Sequence, residues 1–224
     1  MDRQVQISLN PLSEYCFATE SRRGTIIKQQ KRPSKFMVVP YSTARACMRN
    51  FFKEGFSYDA VIHGIEFLHG KRPINTFWKN DRKNSIEALR TFLKLQFPDF
   101  KNLKCSFTTK NHKFLVIDDV EIIIAPDLIL KGINNGKPFI GGIKFHISKG
   151  QPFSREQALL SATAIKLFLL KKEANYGEYV NPKFCLSVDV FGERITPAPD
   201  NHIGYEEMIK EACEDLKKRW DKAS

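Results

Sequence analysis

The segment from Glu121 to Lys149, EIIIAPDLILKGINNGKPFIGGIKFHISK, constrains this chain more than any other. Two runs rich in β-branched and other apolar residues flank Asn134-Asn135-Gly136, a strong signal for a tight hairpin turn. The segment therefore reads as a hydrophobic strand, a turn and a second hydrophobic strand. Asp127 falls in the first run and Lys144 in the second. Buried sheets seldom carry charged residues, so this Asp and this Lys require a reason. Side chains on neighbouring strands meet across the ladder at short range, and the pattern brings a carboxylate and an ammonium together.

The pattern on either side completes an α/β layout. Residues 3–9 alternate weakly, as a short strand would. After Pro40, Ser42 or Thr43 is placed to cap a short helix. Residues 58–69 form a second helical pattern, with Ala60, Val61, Ile65 and Leu68 on one stripe and Gly70 and Pro73 at its end. Ser85 is placed to cap a third helix reaching about Gln96. Residues 112–118 and 121–130 read as a hairpin joined near Asp118-Asp119, and 137–147 as the next strand. Ser154 and Gln157 have capping-box spacing at the start of a helix over 155–171. Residues 183–190 read as a buried strand. A last helix over 204–221 puts Tyr205, Met208, Ile209, Ala212, Leu216 and Trp220 on one side. From residue 84 the order is helix, three strands, helix, strand, helix, and a helix crossing from the third strand to the fourth makes the layers α/β. Residues 1–80 form an N-terminal basic and helical portion of the same domain as the core at 81–224.

Charge adds a second constraint. The chain of 224 residues has a net charge of +11, placed unevenly. Residues 1–150 hold 25 Lys and Arg against 13 Asp and Glu, whereas residues 151–224 hold 11 against 12. Such a field favours a polyanionic partner, nucleic acid first; the plainer reading is a basic, solvated surface. Arg22, Arg23, Lys28, Lys31 and Arg32 cluster around Gly24 and Pro33 as an exposed basic arm, and Lys149 follows the second strand. These six are the candidate phosphate contacts. Phe77 and Trp78, beside Lys79 and Arg82, could stack bases or pack in a core. The five cysteines are scattered and form no CxxC pair, which disfavours disulfide and zinc frameworks and points to a reducing, cytoplasmic setting. No apolar run is long enough to cross a membrane.

Phosphodiester hydrolysis needs a divalent cation held by carboxylate oxygens, and a nearby lysine to orient water and stabilise charge. Pro126-Asp127, Lys144 and the helix–three strands–helix–strand order together resemble the PD-(D/E)xK nuclease superfamily, its RecB-like exonuclease branch most closely. The resemblance spans roughly residues 40–190. Tyr41-Ser42 with the following ARACMRNFF resembles the branch's first helix. His63 resembles its helical metal ligand. Gln157 matches the first position of its QxxxY motif, with Ser161 in place of the tyrosine. The resemblance implies a restriction-endonuclease-like core with an N-terminal helical elaboration and a C-terminal helix. It also implies a nuclease acting on DNA with Mg²⁺ or Mn²⁺. Asp127, Lys144 and Gln157 would then be catalytic, and His63 and Asp127 would hold the metal. One departure is serious: Gly142 stands where the second acid belongs. Glu156, at the start of the following helix, is the candidate for a migrated acid, although a Glu there also suits the helix dipole. The competing expectation is an inactive relative that binds nucleic acid or a protein partner in a phage or defence complex.

Overall fold

The computed structural model describes residues 4–31, 40–100, 102–108 and 113–222. Its larger sheet contains β2 (Lys104–Ser106), β5 (Leu128–Asn134), β6 (Lys137–His146), β7 (Tyr179–Asp189) and β8 (Arg194–Pro197), hydrogen-bonded in the order β2-β5-β6-β7-β8. Within it β6 and β7 are parallel and the other neighbours antiparallel. The parallel pair needs a crossover, which α6 (Arg155–Phe168) supplies. A smaller sheet has the order β1-β4-β3, from β1 (Gln6–Ser8), β3 (Phe114–Ile117) and β4 (Val120–Ile123), with β1 parallel to β4. The fold is mixed α/β.

Alternation along the strands divides the core in two. Leu128, Leu130, Ile143, Phe145, Leu186 and Val188 face α3 (Ser42–Lys53), α4 (Asp59–Gly70) and α5 (Thr76–Phe92), where a phenylalanine-rich cluster forms. Ile129, Ile140 and Cys185 face the other way. They join α6 and the smaller sheet, together with α1 (Leu9–Tyr15), α2 (Glu20–Lys31) and α7 (Ile203–Trp220). The apolar stripe read from the last helix packs into this second cluster.

Local signals translate directly into structure. Asp118 and Asp119 both take positive φ between β3 and β4, as do Asn135 and Gly136 between β5 and β6. These are the two-residue turns that match strand twist. Ser154 and Gln157 make the expected reciprocal cap, Ser154 Oγ accepting from Gln157 N at 3.2 Å and Gln157 Oε1 from Ser154 N at 2.8 Å.

Three expectations are corrected. The run 121–130 is not one strand. It leaves the smaller sheet after Ile123 and enters the larger one at Leu128. Pro126 has no N–H for a ladder, and Ala125 takes φ 39°, so pairing cannot continue through them. The third helix starts at Thr76, where the Asn75 side chain accepts from Trp78 N at 3.0 Å; Ser85 lies buried in its middle. The basic segment expected as an arm is helical over Glu20–Lys31, because Ile26 and Ile27 bury themselves completely or nearly so. The short strand read over residues 3–9 forms as β1, which pairs with β4.

Two glycines allow the layers to close. A Cβ at Gly141 would lie 2.5 Å from the Phe184 carbonyl oxygen, where β7 bulges against β6. A Cβ at Gly142 would lie 3.1 Å from Ile165 Cγ2 and 3.5 Å from Leu169 Cδ1. The space beside Gly142 is therefore filled by the helix above it. We expect Gly142→Ala to stay within about 1 kcal/mol of the parent. Gly142→Glu should lose about 3 kcal/mol by forcing a carboxylate among apolar side chains. Urea unfolding of both variants checks this.

Candidate functional site

Asp127 lies in the break between β4 and β5, one residue before the larger sheet begins. Its N–H donates to Ile143 O at 2.7 Å, and its Oδ2 accepts from Phe145 N at 2.9 Å. The carboxylate thus continues the β6 ladder beyond the point where β5 begins. Arg45, on α3, places Nη1 2.8 Å from Oδ1 and 2.7 Å from Oδ2, and its Nη2 donates to Phe145 O at 3.3 Å. Both backbone groups of Phe145 are satisfied by this one ion pair. Asp127 is only 7% exposed, so its charge depends on these donors.

Lys144 occupies the neighbouring position on β6. Its Nζ donates to Ala125 O at 2.7 Å. Burial pushes its ammonium below the ordinary lysine value; the Asp127 charge opposes this, while Arg45, Lys113 and Arg49 reinforce it. Thr108 Oγ1 donates to Pro126 O at 2.6 Å. The strand crossing at 124–127 is thus pinned by Lys144, Thr108 and Arg45. The sequence expectation that Asp127 and Lys144 are neighbours agrees with this geometry, and the partner it missed is Arg45. Its only sequence signal is a cation on the first core helix, 82 residues from the Asp.

The other expected site residues lie elsewhere. His63 is exposed on α4, and Glu156 is exposed in the first turn of α6. Gln157 is occupied in the helix cap and borders a cleft of about 400 Å³ with Glu14, His146 and Phe153. No group of three His, Cys, Asp or Glu side chains among the described residues is placed to share a metal ion. Asp127 spends both oxygens on Arg45, and an acid at 142 has no room. This donor set does not fit Mg²⁺ or Mn²⁺, which require several free oxygens.

The basic segment is also differently placed. Arg22 pairs with Glu14, Arg23 with Asp215, and Lys31 donates to Trp220 O at 2.6 Å. Those three cations tie α2 to α1 and α7; Lys28 is exposed, and Arg32 lies outside the described residues. Lys149 pairs with Glu87 of α5 at 2.6 Å. Trp78 is half-buried with Lys71 over its ring, whereas Phe77 is 46% exposed.

At the end of β6 the His146 ring stacks on Phe153, centroids 3.6 Å apart and planes 10° from parallel. Nε2–H donates to Gln151 O at 2.7 Å, and buried Nδ1 has no partner among the described residues. Burial pushes the His146 pKa below its ordinary 6.5, against the opposing pull of Gln151 O and Asp189.

No protein-family model matches the sequence, and no curated protein matches it. The functional reading therefore rests on the molecule itself.

Two outcomes follow from the site. In a double-mutant cycle, Arg45→Met and Asp127→Leu should each destabilise by about 2–4 kcal/mol, because each leaves the other charge stranded. The double variant should lose less than the sum of the two single losses in urea unfolding, with a coupling of about 1–3 kcal/mol. For His146, the unfolded chain binds the proton more readily than the folded one. Stability should therefore be intact above pH 6.5 and fall as pH drops through the depressed folded value. The slope should be at most about 1.4 kcal/mol per pH unit. His146→Gln, which keeps a donor for Gln151 O, should flatten that part of the stability–pH curve.

Proposed function

We propose that this protein binds nucleic acid, DNA as the leading partner, on a restriction-endonuclease-like α/β core that does not assemble a metal-dependent nuclease centre. The fold reading is supported by the succession of α5, the strand pair β5–β6, the crossing helix α6 and the parallel strand β7, with Asp127 and Lys144 adjacent at the strand break. The functional reading rests on one observation: the single buried carboxylate at that break is bound by Arg45, and beside it Lys144 feels Arg45, Lys113 and Arg49 as well as Asp127. A place with one carboxylate and four cations repels a divalent ion and attracts a phosphate. In an acting nuclease of this kind the balance runs the other way, with carboxylates gathered to concentrate metal.

The remaining chemistry is consistent with binding. Burial pushes the thiols of Cys16, Cys185 and Cys213 up to about 12, so none is a ready nucleophile. The charge excess lies in residues 1–150, which include the helices α3–α5 and the strand break.

The test measures binding and cleavage together. Fluorescence anisotropy with labelled single- and double-stranded DNA, over a series of salt concentrations, should show binding that weakens steeply as salt rises. End-labelled DNA with Mg²⁺ or Mn²⁺ should remain uncut. Metal-dependent cutting that is lost in Asp127→Ala and in Lys144→Ala would overturn the non-catalytic reading in favour of a nuclease. Absence of binding to either DNA at low salt would overturn the nucleic-acid reading.

A further inference from the structure

We infer that a single strand of nucleic acid lies along the outer face of α5 and the turn before it; this inference rests on the nucleic-acid reading above. A groove of about 570 Å³ runs there, lined by Lys79, Arg82, Lys83 and Arg90 of α5 with His69 of α4. Lys79, Lys83 and Arg90 lie four and seven residues apart on α5, so these cations span about 16 Å along the helix. Lys79, Lys83 and Arg90 are exposed and enter no ion pair among the described residues. The acids beside them are already engaged. Glu87 pairs with Lys149 at 2.6 Å, and Asp81 accepts from Tyr41 N at 2.8 Å. Three cations of the stripe therefore stand without an ion-pair partner among the described residues, whereas on α2 Arg22, Arg23 and Lys31 are tied to carboxylates and a carbonyl.

Aromatic rings at the N-terminal end of the stripe point to an unpaired strand. Phe77 is 46% and Phe67 61% exposed. The Lys71 ammonium lies 5.9 Å from the centroid of the Phe67 ring and 5.4 Å from that of Trp78. Bases freed from pairing can stack on such rings while phosphates follow the cations; duplex bases cannot. An anionic membrane fits less well. The apolar side of α5 is committed to the core through Ile86, Leu89 and Phe92, leaving no continuous apolar face to enter lipid. Lys149, three residues beyond the end of β6, pairs with Glu87 of the groove wall and so ties the end of that strand to α5.

The experiment uses the full chain and a fluorescein-labelled oligothymidylate of about twenty nucleotides, with an oligouridylate of the same length beside it. Lys79→Glu, Lys83→Glu and Arg90→Glu combined should weaken binding at least tenfold. They should also reduce the slope of log affinity against log salt by about 2. Phe77→Ala should weaken binding about tenfold at high salt with the slope unchanged, a signature that general loss of charge does not produce. Thermal unfolding of each variant should match the parent, since the substituted side chains are exposed. A second variant, Arg49→Glu with Lys113→Glu, alters the strand break instead. Binding that survives the triple substitution but is lost in this second variant would overturn the groove assignment and leave the nucleic-acid reading standing. Failure of the parent to bind any oligonucleotide would remove both. Binding to phosphatidylglycerol vesicles that depends on the triple, with none to oligonucleotides, would replace the strand by a membrane.

Discussion

The structure depends on how the chain passes from one sheet to another between Ile124 and Asp127. Here the chain leaves the ladders of the smaller sheet after Ile123 and joins the larger sheet at Leu128, so the backbone groups in between need partners from outside the ladders. Asp127 and Arg45 close the gap together, satisfying the N–H and the C=O of Phe145 and each other's charge. Lys144 then holds Ala125, whose φ of 39° is costly for a residue with a side chain. The break also sets α3 against the sheet, because Arg45 extends from that helix to the strand end. Packing of the phenylalanine-rich cluster and continuity of the larger sheet are thus linked through a single ion pair.

That arrangement explains why charges sit between two apolar strands without requiring catalysis. A buried ion pair rarely adds net stability compared with well-packed apolar groups, but stranding either member is expensive. It also fixes geometry: a guanidinium with Nη1 on the Asp127 carboxylate and Nη2 on Phe145 O allows few relative positions of helix and strand. The same contacts consume the oxygens a metal would need. Gly142, which lets Ile165 and Leu169 settle on β6, removes the room for a second acid. At this place the side chains present serve the junction of helix and sheets.

What was legible in the sequence follows from range. Turns at Asp118-Asp119 and Asn135-Gly136, the Ser154–Gln157 cap and the apolar stripe of α7 depend on neighbours within a few residues, and each took its expected form. The split of residues 121–130 was signalled only by Pro126, since apolar content runs through it without interruption. Segment 20–31 looked polar enough for a loop; two isoleucines were enough to fold it as a helix on the core. Arg45 had no such signal. Its partner is 82 residues away, and nothing local separates a helical arginine that faces solvent from one that neutralises a buried carboxylate.

The distribution of charge carries the same lesson into function. Net charge counts cations; it does not say which remain available. Three of the four cations of α2, Arg22, Arg23 and Lys31, are bound to acids and carbonyls of α1 and α7, which leaves Lys28 exposed. On α5 Glu87 is paired with Lys149, whereas Lys79, Lys83 and Arg90 are exposed and enter no ion pair among the described residues. Affinity for a polyanion is governed by the cations whose counterions can be released, not by those already neutralised within the fold. A chain with this pattern directs its electrostatic attraction to the α4–α5 side, while the charges of the strand break are committed to holding the sheets together.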